Sequence, residues 1–218
     1  GECRMSKKII KEFCAENFER IPEAIASGAG RIELCDNLAE GGTTPSYGVI
    51  KKTLDYTKGK KVPTMVMIRP RGGNFEYNKA EAEIMEADVM ICKDLKADGI
   101  VFGCLKNSWL DEPLILHLKD RAGDMSVTFH MAFDELSREN QFRAIDWLAE
   151  KGVDRILTHG GSGEKPISET VSHLLELISY ANDRIVILPG AGIRFDNVDQ
   201  LLATLNVSEA HGTRIVSI

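Results

Sequence analysis

The chain has 218 residues, 43% of them hydrophobic, a length at which a single core still grows, so one large domain is expected rather than two small ones. With 33 acidic against 27 basic residues the net charge is -6, a field that repels phosphate backbones and anionic lipid surfaces and argues against nucleic acid as a partner. No apolar run approaches the roughly 20 residues that span a bilayer, and the start lacks an apolar stretch of the secretory kind, so the cytoplasm is the expected location, with no membrane partner.

Gly1 to Arg4, residues 1–4 ahead of Met5, read as a cloning remnant, and residues 5–218 as the single domain. From there, β-branched apolar runs alternate with stretches whose apolar residues recur at helical spacing. A strand over Ile9 to Cys14 leads to a helix over Phe18 to Ser27, and a strand over Arg31 to Cys35 to a helix over Tyr47 to Thr57. Val62 to Arg69 then precedes a helix over Lys79 to Lys96, and Gly99 to Gly103 one over Glu112 to Asp120. Ser126 to Phe133 is followed by a helix over Glu139 to Lys151, and Asp154 to Gly160 by one over Thr170 to Tyr180. Arg184 to Gly190, a helix over Asn197 to Leu205 and a last strand over Glu209 to Gly212 complete the series.

This alternation predicts an α/β fold, a TIM-type (β/α)8 barrel, because an open doubly wound sheet carries a glycine fingerprint after its first strand and none is present here. Only Thr213 to Ile218 follow the last strand, so the final helix is expected to be shortened or missing. Its bare flank is expected to pair with another subunit in a homodimer or higher homo-oligomer, unless the chain simply ends early.

In such a barrel the reactive groups stand at the C-terminal ends of the strands. Those ends offer Glu12, Cys14 and Glu16, then Glu33, Cys35 and Asp36, then Arg69 and Arg71, His130 and Asp134, Thr158 and His159, and last His211. Side chains alternate along a strand, so Glu12 shares a face with Cys14 and Glu33 with Cys35. If both faces look inward, the repeated Glu-x-Cys sets two thiols side by side over two carboxylates, with strands about 5 Å apart and Arg69 within reach of the carboxylates. Two soft sulfurs select Cu(I), or zinc if further ligands join. Alternatively, Cys14 and Cys35 are small buried hydrophobes, the commonest role of free cysteine.

The stretch RPRGGNFEY places Arg69 and Arg71 where guanidinium forks grip a carboxylate or phosphate, or where Arg69 pairs internally with Glu33 or Asp36. In TFHMAFD, His130 is an acid, base or ligand candidate with Asp134 to orient it, or a structural histidine. The glycines of THGGSGEKP and LPGAGIRFDN, notably Gly161, Gly190 and Gly192, are anion-binding candidates, although most turns after strands need glycine for backbone reasons alone.

Taken together, EFCAENFE, GAGRIELCDNLAEGGTTPSYGVI, VMIRPRGGNFEYN, ADGIVFGCL, TFHMAFD, RILTHGG and GAGI resemble the copper homeostasis protein CutC family, in order and over nearly the whole chain. The resemblance implies a TIM-type barrel, a cytoplasmic role in copper handling, and Cys14 and Cys35 as copper(I) ligands. The chain departs from the family pattern at Met131, where arginine is usual, at His159, where serine is usual, and at Asn74, where aspartate is usual. Met131 alternates away from His130 and is expected to point outward. Two functions are carried forward: a cytoplasmic Cu(I)-binding protein, and an enzyme using Glu12, Glu33, Arg69, His130 and Asp134 on a small anionic metabolite by acid/base or metal-assisted chemistry.

Overall fold

A computed structural model describes residues 7–218; the stretch read as a cloning remnant lies outside the described residues. The eight anticipated strands all form one sheet. They are β1 (Ile10–Glu16), β2 (Arg31–Cys35), β3 (Thr64–Met67), β4 (Gly99–Phe102), β7 (Ser126–Phe129), β8 (Arg155–Thr158), β9 (Val186–Pro189) and β10 (Glu209–Gly212), with a short hairpin of β5 (Leu105–Lys106) and β6 (Trp109–Leu110) inserted after β4. Their order is β10-β1-β2-β3-β4-β7-β8-β9, every pairing within it is parallel, and β10 lies against β9 to bring the sheet round into a barrel.

Seven α-helices surround it among the described residues: α1 (Ile21–Ala26), α2 (Tyr47–Lys60), α3 (Lys79–Asp94), α4 (Glu112–Ala122), α5 (Arg138–Glu150), α6 (Ile167–Ala181) and α7 (Val198–Leu205). Local chemistry sets their ends. Pro22 in the first turn delays α1 to Ile21, later than apolar spacing suggests, because proline is tolerated only at a helix start. Asn78 and Glu81 form a reciprocal capping box on α3, and Ser46 and Ser137 cap α2 and α5. The strand expected to run to Phe133 stops at Phe129, since the Ala132 N–H turns back onto the His130 ring and starts a 3-10 turn over Met131–Glu135.

The two faces of the sheet differ in kind. Phe13, Ala15, Ile32, Leu34, Val66, Ile68, Ile100, Phe102, Val127, Phe129, Ile156, Ile187 and Ala210 join the core beneath the helices. The alternate positions, facing the barrel axis, hold Glu12, Cys14, Arg31, Glu33, Cys35, Met65, Met67, Thr128, Arg155, Glu209 and His211. Among the described residues no helix follows β10, but the flank there is not bare. The chain past β10 folds back so that Ile215 and Val216 are buried in the core cluster together with Phe13 and Ala210, and Gly212 lets Ile193 and Ile215 approach closely.

Candidate metal centre

Below the thiols the barrel axis is filled by ions. Arg31 on β2 bridges Glu12 on β1 and Glu209 on β10, and Glu209 also pairs with Arg155 at 3.0 Å. Charged groups survive burial only with such partners. Arg31 therefore holds the position at Glu12 that the sequence offered to Arg69.

Barrel closure staggers neighbouring strands. Cys14 pairs across with Glu33 rather than with Cys35, while Cys35 lies opposite Glu16, an exposed residue whose carboxylate accepts the Leu38 N–H. The two Glu-x-Cys units are thus offset by two residues instead of level. The offset inserts Glu33 between the sulfurs: Cys35 Sγ lies 3.3 Å and Cys14 Sγ 3.7 Å from Glu33 Oε1. Both sulfurs and a Glu33 oxygen still lie within 4.8 Å of one another, and a second such group joins Glu12, Glu33 and His211. His211 Nδ1 stands 2.7 Å from Glu12 Oε1 and 3.8 Å from Glu33 Oε2. Met65 and Met67 pack against the cysteines, so the surroundings are rich in sulfur.

The electrostatics sort these groups. Burial pushes the Glu12 carboxyl up, but His211 and Arg31 outweigh it and hold the group at about 2. Burial lifts Glu33 to about 8 against the attraction of His211, with Cys14 and Glu12 adding to the rise. The bond from Cys35 brings the Cys14 thiol down to about 5, and the same bond, with burial, pushes Cys35 well above its ordinary range. Burial disfavours charge on His211, yet Glu33, Cys14 and Glu12 together raise it well above the usual histidine value. The surroundings thus favour charge on Cys14 and His211 and disfavour it on Glu33 and Cys35. Two thiols and a carboxylate this close together are a donor set that suits one soft cation.

The remaining candidates are distributed around the mouth. Arg69 pairs with neither Glu33 nor Asp36; its terminal nitrogens bind the carbonyls of Glu40, Gly42 (3.0 Å) and Gly73 (3.0 Å). Arg71 is engaged by Glu81, Asn74 and the Glu76 carbonyl, and Asn74 also receives the Glu76 N–H. His130 and Asp134 do not form a dyad. Asp134 accepts from the Thr158 hydroxyl and, at 3.0 Å, from the His159 N–H, and burial raises it to about 6 against those bonds. The His159 ring spans the Gly190 and Lys165 carbonyls at 2.9 and 2.7 Å, which joins two loops.

Gly190 gives its N–H to the Thr158 carbonyl, and a side chain there would collide with Leu157, Met131 and His211. Met131 thus points over the mouth beside His211 rather than outward, because the 3-10 turn breaks strand alternation at that residue. Gly161 packs against Thr170, and Gly192 adopts a left-handed φ of 76° with its carbonyl held by Asn197. Arg31, Glu209 and Arg155 were outside the sequence candidates, and His211 was only one of the strand-end groups. Their signal was present as polar residues in period two, most plainly Arg31, Glu33 and Cys35 against Ile32 and Leu34.

A parallel barrel with a buried thiol, carboxylate and imidazole cluster on its first, second and last strands defines a TIM-barrel protein with a metal-capable mouth. The sequence profile of the CutC family matches residues 9–216, and the chain belongs to that family. It is 59% identical over 209 residues to a family protein CutC from Enterococcus faecalis, covering 95% of this chain and all of the relative. It is 38% identical to the copper homeostasis protein cutC homolog of Mus musculus, covering 97% of this chain and 75% of that one. A crystal structure of CutC from Streptococcus agalactiae, 44% identical, superposes with a TM-score of 0.92 over 95% of this chain and all of that chain. At 11% identity and a TM-score of 0.70, a deoxyribose phosphate aldolase from Aeropyrum pernix shares the fold alone, over 96% of this chain and 87% of its own.

Proposed function

We propose that the protein serves copper homeostasis by holding one Cu(I) ion as cargo between Cys14 and Cys35. The observation that carries this reading is the sulfur pair itself, buried, within 4.8 Å, and lined by Met65 and Met67. Two metal–sulfur bonds of about 2.3 Å span close to this upper limit, so a single ion can touch both sulfurs with at most a small side-chain adjustment, and thiolate with thioether surroundings is the donor chemistry that selects Cu(I) over harder ions. The depressed Cys14 thiol supports ready binding, because the thiolate is the ligand. Family membership supports the copper assignment.

The setting is the cytoplasm: Cys14, Cys35, Cys92 and Cys104 are all unpaired, the state a reducing compartment maintains. No helix among the described residues is long and apolar enough to cross a membrane. A homodimer belongs to the same reading, supported by exposed Phe195, whose N–H bonds to Arg214 beside the C-terminal tail; a monomeric mass in light scattering contradicts it. The copper assignment is tested by Cu(I) titration against a competing chelator. Wild type is expected to bind one equivalent tightly and the Cys14→Ser/Cys35→Ser variant to lose that affinity; equal affinities reject the assignment.

A further inference from the structure

Extending the pairings of β3, β4 and β7 by one inward-facing step places Arg69, Gly103 and His130 in one row at the barrel mouth. Gly103 has no side chain, and the His130 ring lies over it: a Cβ there would fall 2.4 Å from the ring Cε1. Arg69 and His130 thus flank the position without a side chain at Gly103, a notch in the row that the His130 ring covers. Phe75 roofs it, its ring 5.0 Å from that of His130 and 5.1 Å from the Arg69 guanidinium carbon.

The hydrogen bonds fix what this notch offers. The Ala132 N–H donates to His130 Nδ1 at 3.1 Å, so Nδ1 carries no proton and the proton of the neutral ring sits on Nε2. Burial, with the charge of Arg69, holds His130 down at about 3, which keeps the ring neutral. Among the described residues, His130 Nε2 has no hydrogen-bond partner, nor has Arg69 Nε, nor the hydroxyl of Thr128 one inward position below. Arg69 is a buried cation whose surroundings are neutral, three loop carbonyls and the nearby Tyr77 hydroxyl, with no carboxylate within ion-pair distance among the described residues. A cluster of buried donors around an uncompensated positive charge calls for an anionic acceptor.

We propose that the notch binds the carboxylate of a small organic acid, which accepts from Arg69 Nε–H and His130 Nε2–H while the Thr128 hydroxyl meets an adjacent oxygen. Two N–H donors suit the two oxygens of a carboxylate, whereas a phosphate presents more oxygens and charge than this donor set answers. The site lies beyond the copper reading and does not depend on it.

The test uses the full chain with pyruvate, oxalate or acetate at millimolar concentration, with orthophosphate as a parallel arm. The expected result is a rise in melting temperature of a few degrees, by binding linkage, together with movement of the His130 Nε2 proton resonance. His130→Phe keeps a ring against Phe75 without the donor and is expected to weaken binding by about tenfold or more, as is Arg69→Gln. Cys14→Ser/Cys35→Ser is expected to leave it intact, which separates this site from the copper seat. A His130 resonance in wild type that ignores every acid, a response to orthophosphate alone, or binding that survives both notch substitutions overturns the proposal.

Discussion

Replacing Arg31 with methionine tests whether the ionic floor supports the centre above it. Arg31 is 3% exposed and Glu12 1% exposed, so water cannot take over a lost partner. Glu12 is held at about 2 against an ordinary 4.5. At 1.36 kcal/mol per unit, this corresponds to about 3 kcal/mol of stability from that carboxylate. Because its folded value is depressed, that contribution is present above pH 4.5 and lost as pH falls toward 2. Arg31→Met leaves Glu12 with His211 alone and removes one of two partners of Glu209, so a cost of about 3 kcal/mol is expected, in the range for a broken buried pair. For a chain of this size that lowers the melting temperature by roughly 6–12 °C. Adding Glu12→Gln removes the carboxylate that has lost one of its two partners and should restore part of the loss. Calorimetry or urea unfolding at neutral pH reads both variants. A single substitution costing under about 1 kcal/mol, or a double variant as damaged as the single one, refutes the reasoning.

Gly103→Ala drives a methyl group into the His130 ring and the Ala132 methyl, 2.4 and 2.8 Å from the new carbon, so unfolding should become easier by roughly 1–3 kcal/mol; unchanged stability in denaturant titration contradicts the close seating of the His130 ring on Gly103. Cu(I) affinity should rise about tenfold per pH unit near neutrality, because Cys35, raised by its bond to Cys14 and by burial, must release a proton while the depressed Cys14 has none to give. Chelator competition at several pH values checks this, and a flat profile contradicts it.

The barrel was legible because helix-facing strand positions are so consistently aliphatic: Ile32 and Leu34, Ile100 and Phe102, Val127 and Phe129. The shared faces of Glu12 with Cys14 and of Glu33 with Cys35 followed from alternation alone. Their relative height did not, since stagger belongs to the closed sheet and to no single strand. Arg31 and Arg155 open their strands and so resemble boundary residues, although both turn inward to charges from distant segments. The loop carbonyls that occupy Arg69 come from Glu40, Gly42 and Gly73, and no local pattern ties a strand end to such partners. Ile215 and Val216 looked like a short remainder after the last strand, yet their apolar side chains are buried in the core.

Copper handling at the Cys14–Cys35 pair depends on which atoms of this chain touch the ion. X-ray absorption at the copper edge, on protein loaded with one equivalent of Cu(I) under reducing conditions, reads this directly. Sulfur neighbours at about 2.3 Å, absent after Cys14→Ser/Cys35→Ser, are the predicted result; a first shell of nitrogen and oxygen, or a spectrum unaltered by the double substitution, contradicts it.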